Sequence, residues 1–253
     1  MPVIYEPLAI FKSSHQTTYE APRQGVLAEG ATGWFELDKN YGAESIEDLV
    51  GFERVWLVYD FHKNSSWKVK VRPPRFSEKK RSVFATRSPY RPNSIGLSCV
   101  KLEKIQGRKI FVSGHDILEG SLILDIKPYI PYADSFPNAA TGWLKKEVGL
   151  KVLFQEDILN KLEWLKNKTQ IDFKQIIENQ LSYEPTNSKS KRVKKKNKGF
   201  VFSIRTWRFE FVLIDDVVSV ISVYSGYKSL DMFAEEDPYK DKNIHRAFEL
   251  QFN

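Results

Sequence analysis

Between Phe84 and Ser98 the chain reads Phe-Ala-Thr-Arg-Ser-Pro-Tyr-Arg-Pro-Asn-Ser-Ile-Gly-Leu-Ser. Pro89 and Pro92 fix their own φ and push the residues before them out of the helical region. The spacing therefore predicts a stiff, extended turn. Arg87 and Arg91 carry planar, permanently charged forks that match carboxylates and phosphates. A rigid loop holding two such forks suits an anionic or zwitterionic ligand. Its plainer use is a surface turn whose arginines pair with local acids.

Three further segments carry usable groups. They are Ala21-Pro22-Arg23-Gln24, His115-Asp116-Ile117-Leu118-Glu119-Gly120, and the run from Leu124 to Ser135, LDIKPYIPYADS. Other chemistries lack their motifs. The chain has no GxGxxG, no Walker motif, no GxSxG and no HExxH. A dinucleotide or nucleotide ligand would therefore need a different scaffold. Cys99 is the only cysteine, and His15, His62, His115 and His245 show no ligand spacing. We expect neither a disulfide nor a bound metal.

Taken in order, the four segments resemble the TsaA-like (YaeB-like) proteins, the family of the TrmO-type tRNA methyltransferases. The usual signature there is F-A-T-R-S-P-[FY]-R-P-N-P-I-G-[LM]-S, and this chain departs from it at Ser94, where proline is usual. The resemblance covers roughly the first 140 residues. It implies a small β-barrel that binds S-adenosylmethionine and works as a homodimer. It also implies methylation of N6 of threonylcarbamoyladenosine at position 37 of tRNA, beside the anticodon.

On that reading Arg87 suits the cofactor carboxylate, and Arg23 and Gln24 exchange hydrogen bonds with the ligand. Asp116 and Glu119 accept from the ribose hydroxyls or the ammonium. The backbone of Ile117 and Leu118 pairs with adenine while Leu97 packs on its face, and His62 and Lys63 reach in from a loop. Arg91, Asn93, Lys127, Tyr129 and Tyr132 are the candidates for the RNA side, the tyrosines as prolines-braced stacking platforms. Plainer roles exist for several: a turn-former at Asp116, a core-edge histidine at His62, barrel packing at both tyrosines. No general base stands out, but methyl transfer to a neutral nitrogen chiefly needs alignment. The alternative readings are a non-catalytic S-adenosylmethionine- or RNA-binding regulatory module, and methylation of another substrate.

The elements that would position these groups are mostly strands. Residues 54–61, 67–71, 98–102, 109–113 and 122–126 read as strands, with a hairpin turn at Gln106-Gly107-Arg108. Residues 44–50 read as one or two helical turns. Many short strands without intervening helices predict a mainly β fold, a small barrel over residues 1–140. An α+β domain follows over 141–253. It contains helices over 155–168 and 169–183, the second started by Thr169 and Asp172. Residues 200–214 and 217–224 form a hairpin turning at Asp215-Asp216, its first arm carrying a β-bulge at Arg205-Thr206. The polar end, 237–248, reads as a turn folding back.

The chain of 253 residues is 42% hydrophobic and 28% charged, as in ordinary globular proteins. Its formal charge of +7 sits in one place. Residues 187–198, NSKSKRVKKKNK, hold seven basic residues and no acid, which leaves 32 basic against 32 acidic elsewhere. The run reads as a solvated linker able to grip tRNA through counterion release. No leader is evident, and no apolar stretch approaches the ~20 residues that span a bilayer. The expected compartment is the cytoplasm.

Overall fold

Val55, Leu57 and Tyr59 alternate with less buried neighbours. That period of two is what a strand with one inward face produces. The computed structural model describes residues 3–22, 25, 31–73, 79–144, 149–188 and 191–252, in two units, Met1–Glu147 and Val148–Asn253.

Unit 1 contains β1 (Ala9–Ile10), β2 (Lys12–Ser13), β3 (Thr32–Glu36), β4 (Arg54–Asp60), β5 (Lys70–Val71), β6 (Arg81–Ser82), β7 (Ile95–Gln106), β8 (Lys109–Ser113), β9 (Leu122–Pro128) and the single turn α1 (Pro131–Asp134). Seven strands form one antiparallel sheet in the order β1-β9-β4-β7-β8-β3-β2. The first five residues of this sheet close it. Ala9–Ile10 pairs with β9 and Lys12–Ser13 pairs with β3, so one short segment serves both edges. A bridge from Ala9 to Leu37 reinforces the seam. Phe11, at the crossing, is fully buried. The result is a nearly closed, mainly β barrel filled by Phe11, Phe35, Val55, Leu57, Tyr59, Val100, Ile110, Ile117 and Ile123.

The Gly107-Arg108 turn between β7 and β8 is present, with Gly107 at φ 58. The 44–50 region holds two short 3-10 turns, at Ala43–Ser45 and Glu47–Leu49. The strand expected over 67–71 is shorter. Only Lys70 and Val71 pair, with the two residues of β6, beside the exposed Trp67 and Val69.

Unit 2 contains β10 (Lys151–Phe154), α2 (Glu156–Thr169), α3 (Phe173–Leu181), β11 (Val193–Lys196), β12 (Gly199–Ile204), β13 (Trp207–Ile214), β14 (Val217–Ser225), α4 (Ser229–Phe233) and α5 (Lys242–Phe252). Its open sheet runs β10-β14-β13-β12-β11, with β10 parallel to β14. Alternate residues Phe202, Phe209, Phe211, Val218, Val220 and Val223 join Ile158, Leu162, Leu165, Phe173, Ile177 and Phe248 of the helices in one apolar core.

Four expectations change here. Thr169 ends α2, and Asp172 is the cap of α3, accepting from the Gln175 N–H at 3.0 Å. The phase slip at Arg205-Thr206 is a hairpin turn between β12 and β13, with Arg205 at φ 50. The bulge lies instead at Glu210/Phe211 against β14. The polar end is a helix, α5. Its His245 stacks on Trp207 at 3.8 Å, and Asp241 accepts from Thr206 and Tyr227 at 2.6 and 2.7 Å. Of the basic run, residues 189 and 190 lie outside the described residues, and residues 191–196 are no free linker. Residues 193–196 are an edge strand, and Lys191 is buried, donating to the carbonyls of Gln180 in the last turn of α3 and of Tyr183 and Glu184 just beyond it. A cation there meets the negative end of a helix dipole. Among the described residues, no helix is long and apolar enough to cross a membrane.

Candidate functional site

Two of the motif segments, the signature loop and residues 115–120, meet at one rim of the barrel. β4 and β7 pair so that Tyr59 lies opposite Gly96 and Leu57 opposite Ser98. Tyr59, Gly96 and Ser98 all point inward. A Cβ at Gly96 would land on the Tyr59 ring, so the glycine of the signature is there to admit that ring. The ring reaches back along the barrel until its hydroxyl lies 3.3 Å from Ser98 Oγ. Ser98 Oγ donates in turn to Asp116 Oδ1.

Asp116 sits in the loop after β8, and a Gly25 N–H also serves its carboxylate. A Cβ at Gly25 would collide with the Gly114 carbonyl oxygen, so this approach of two backbones needs glycine. Burial pushes the Asp116 pKa up, opposed by the Ser98 hydrogen bond and by the charge of Arg87. Burial, then the Asp116 charge, raises the Tyr59 phenol. Tyr59, Ser98 and Asp116 thus form one hydrogen-bonded chain across the inside of the rim.

Arg87 is exposed and makes no hydrogen bond to a described residue. It stands in the field of Asp116 as an unspent donor fork. Leu97, exposed at 57%, presents an apolar side chain two residues along from the strand start. His62 Nδ1 lies 3.2 Å from Ser121 Oγ, and Lys63 Nζ donates to the Gln16 carbonyl. Arg23 and Gln24 lie outside the described residues.

Other candidates are engaged elsewhere. Glu119 accepts from Lys12 Nζ at 3.0 Å and from the Ser13 N–H at 2.7 Å, which ties β2 to the loop. Ile117 is fully buried, and its N–H donates to His115 Nδ1 at 3.2 Å. The Leu118 carbonyl accepts from the Ser121 N–H. Arg91 staples the signature loop from within. Its Nη1 donates to the carbonyls of Thr86 at 2.9 Å and Val83 at 3.3 Å, and its guanidinium lies over Phe84. The Asn93 carbonyl accepts from the Ile95 N–H, and its residue lines a shallow surface groove with Tyr5, Asp60 and Ser94.

Lys127, Tyr129 and Tyr132 are not brought to this rim. Lys127 pairs across from Trp56 and ion-pairs with Asp125 at 2.9 Å. Tyr129 hydrogen-bonds to Arg54, at the far end of β4, roughly 17 Å from Tyr59 at strand spacing. It packs on Trp56 at 5.9 Å, and Trp56 Nε1 donates to Asp134. Tyr132 is 89% exposed.

Residue types alone did not single out Tyr59, Ser98, Ser121, Gly25 or Trp143. Trp143 Nε1 donates to the Ala85 carbonyl at 3.0 Å and so braces the signature loop. Ser98 was visible as the last signature residue, and Tyr59 as an inward position of an alternating strand. His115 is also fully buried against Phe11 and beside His15, and burial holds its pKa down to about 4. Among the described residues, no group of three or more His, Cys, Asp or Glu could hold a metal ion.

Comparison with known proteins places this rim in context. Residues 10–135 match the family model described as tRNA-methyltransferase O N-terminal domain. A Pyrococcus abyssi protein described as a probable S-adenosyl-L-methionine-binding protein is 36% identical over 146 residues, 58% of this chain and 78% of that protein. The mouse tRNA (adenine(37)-N6)-methyltransferase is 39% identical over 141 residues, 54% of this chain and 33% of the mouse protein. The chain spans less than two thirds of the length of most of these curated relatives, from 33% to 63% in three of them. The crystal structure of TrmO from Pseudomonas aeruginosa superposes with a TM-score of 0.68 at 28% identity, covering 89% of this chain and 99% of that one. The signature loop, the barrel that carries it and these matches agree: the chain belongs to the tRNA-methyltransferase O N-terminal domain family.

Proposed function

We propose that the chain is an S-adenosylmethionine-dependent methyltransferase acting on N6 of threonylcarbamoyladenosine at position 37 of tRNA. The observation that carries the reading is the rim itself: an exposed, unspent Arg87 in the field of a pinned, part-buried Asp116, with Leu97 exposed next to Ser98 in β7. These residues fit the cofactor. Arg87 has free donors for its carboxylate, Asp116 can accept from its ammonium or ribose, and Leu97 offers an apolar seat for adenine. When bound, the cofactor supplies an electrophilic methyl group. The protein's part is to hold the Asp116 carboxylate rigid through Ser98 and Tyr59, and to align the acceptor nitrogen. Glu119 and Arg91 act indirectly in this scheme, by fixing the loop and the signature turn.

A homodimer in the cytoplasm completes the reading. Tyr129 and Tyr132 stand at the opposite end of β4 and β9 from Arg87, so a second copy is the simplest way to bring stacking rings and cofactor together. Mixing Arg87→Ala chains with Tyr129→Ala chains should then restore part of the activity that each lacks alone.

The deciding experiment titrates S-adenosylmethionine by calorimetry, then measures methyl transfer to tRNA with and without the threonylcarbamoyl group. Transfer that requires this group supports the proposal. Binding without transfer would make the chain a regulatory module, and transfer to unmodified RNA would change the substrate.

A further inference from the structure

We propose that a groove on the outer wall of the barrel, between the signature loop and residues 3–7, seats an unpaired guanine of the RNA substrate, with Asp60 reading its N1–H and 2-amino group. The proposal deepens the functional reading above and rests on it for the identity of the RNA as tRNA.

The groove follows from register. Tyr59 points into the barrel, so Asp60 points out, opposite Ile95 of β7. Leu122 and Leu124 flank the inward Ile123, which pairs with Tyr59, and so share the outer side with Asp60. With Tyr5, Asn93 and Ser94 they line a groove of about 580 Å³, a size ordinary for a small-ligand site. Leu97 lies two residues along β7 from Ile95 on the same outer side, so the groove adjoins the seat given above to adenine.

Its chemistry is one-sided. Among the described lining residues Asp60 is the one acid, and there is no Lys, Arg or His. The Asp60 side chain is half-buried and makes no hydrogen bond or ion pair to a described residue. A phosphate or a carboxylate would be repelled there. A carboxylate only accepts, so the occupant must bring donors. Ile95, Leu122 and Leu124 supply apolar walls, and Tyr5, 58% exposed, offers a ring on which a base can stack. Ser94 and Asn93 add a hydroxyl and an amide that can donate back.

Guanine fits this set and the other bases do not. Its N1–H and 2-amino group stand side by side and can meet both carboxylate oxygens, while O6 accepts from Ser94 or Asn93. Adenine and cytosine set a ring-nitrogen lone pair beside the amino group, and that lone pair would face the carboxylate. Uracil offers a single N–H between two carbonyls.

Ser94 is also where this chain departs from the usual proline of the signature. The Asn93 carbonyl accepts from the Ile95 N–H at 2.7 Å, which makes Ser94 the centre of a γ-turn. Ser94 is not at positive φ, so the turn is the inverse form, with φ about −75°, close to the value that proline fixes. Either residue suits the backbone, and serine alone brings a hydroxyl to the groove.

The test titrates the full chain, by fluorescence anisotropy, with labelled anticodon stem-loop RNAs whose loop guanines are kept or replaced by inosine, which lacks the 2-amino group. Asp60→Asn removes the carboxylate, and Ser94→Pro removes the hydroxyl. S-adenosylmethionine affinity, melting temperature and solution mass are measured in parallel. The parent should bind the guanine loop about tenfold more tightly than the inosine loop. Asp60→Asn should bind both alike, at the parent's inosine level. Ser94→Pro should keep the preference and bind about threefold more weakly overall. The three parallel readouts should match the parent in both variants.

A parent without the preference overturns the proposal, even if it methylates tRNA, and so does an Asp60→Asn chain that retains it. An Asp60→Asn chain that loses cofactor binding gives the groove to the cofactor, and one that changes mass gives it to a subunit interface; either result overturns the guanine site. Should Asp60→Asn melt early, the parent's preference and the Ser94→Pro titration still decide. A parent that prefers guanine yet transfers no methyl group leaves the groove standing and removes the catalytic reading.

Discussion

The two units build from the same material, antiparallel strands, and spend it in opposite ways. Unit 1 curls its sheet until the segment Ala9–Ser13 serves both edges, so its inward side chains can only pack and its chemistry must sit at a rim. Unit 2 leaves its sheet open, gives one face to three helices and keeps charge on the other. Closure concentrates a few residues at one point, as with Tyr59, Ser98, Asp116 and Arg87. Openness spreads a repeated group along a line, as with residues 192, 194 and 196. The first arrangement suits a small ligand, and the second gives one no single seat.

If the units are thermodynamically separate, a core deletion in one should spare the other. Phe209 is fully buried in unit 2 and packs on Phe173 at 5.6 Å. Phe209→Ala should cost about 3–5 kcal/mol there. Scanning calorimetry should show one transition shifted and the other in place, and a common shift would break the comparison.

The second test is acid. Folded His115 stays neutral down to about pH 4, whereas unfolded it protonates near 6.5. The unfolded state therefore takes the extra proton as pH falls through that window. The barrel should lose up to about 3 kcal/mol between pH 6.5 and 4 from this group alone. Denaturant melts should show a flatter pH dependence for His115→Gln in the unit 1 transition only. An equal slope in parent and variant would locate the acid sensitivity elsewhere.

Arg87→Ala sharpens the contrast between point and line. It should weaken S-adenosylmethionine binding roughly tenfold to a hundredfold while leaving the melting temperature in place. The tRNA salt slope should not move. Unchanged calorimetric affinity would remove Arg87 from the site. The smallest effect expected is at Asp172, whose carboxylate caps α3 and pairs with Lys166 at 2.7 Å. Asp172→Ala should lower unit 2 stability by about 1 kcal/mol, measurable as a midpoint shift in urea.

The strands that proved readable were those whose own residues declare their pairing. Val55, Leu57 and Tyr59 alternate, and Gly107 supplies the positive φ that its turn needs. The signature loop was readable because prolines act locally. What escaped depends on distant partners. Residues 9–13 show no period, since each half pairs with a different strand at least 20 residues away. The lysine run looked too polar for a sheet, but an edge strand needs only one apolar anchor, and Val193 is buried. Arg205-Thr206 looked like a bulge because Arg205 adopts positive φ without being glycine. At the rim, the motifs named Asp116 and Arg87, yet gave no sign that Glu119 and Arg91 would be consumed by the fold, because Lys12, Thr86 and Val83 meet them only in three dimensions.

The double pairing of residues 9–13 also sets an order of events during synthesis. The segment leaves the ribosome early, but one of its partners, Leu122–Ile123, is made more than 100 residues later. Until then β9 is missing and the sheet keeps two raw edges, the state in which strands find the wrong neighbour. The barrel can close only as β9, the last of its seven strands, emerges. Contacts of such long sequence separation slow folding. Chains stalled before residue 122 should therefore remain protease-sensitive throughout unit 1, and those stalled once β9 has fully cleared the ribosome should become resistant together.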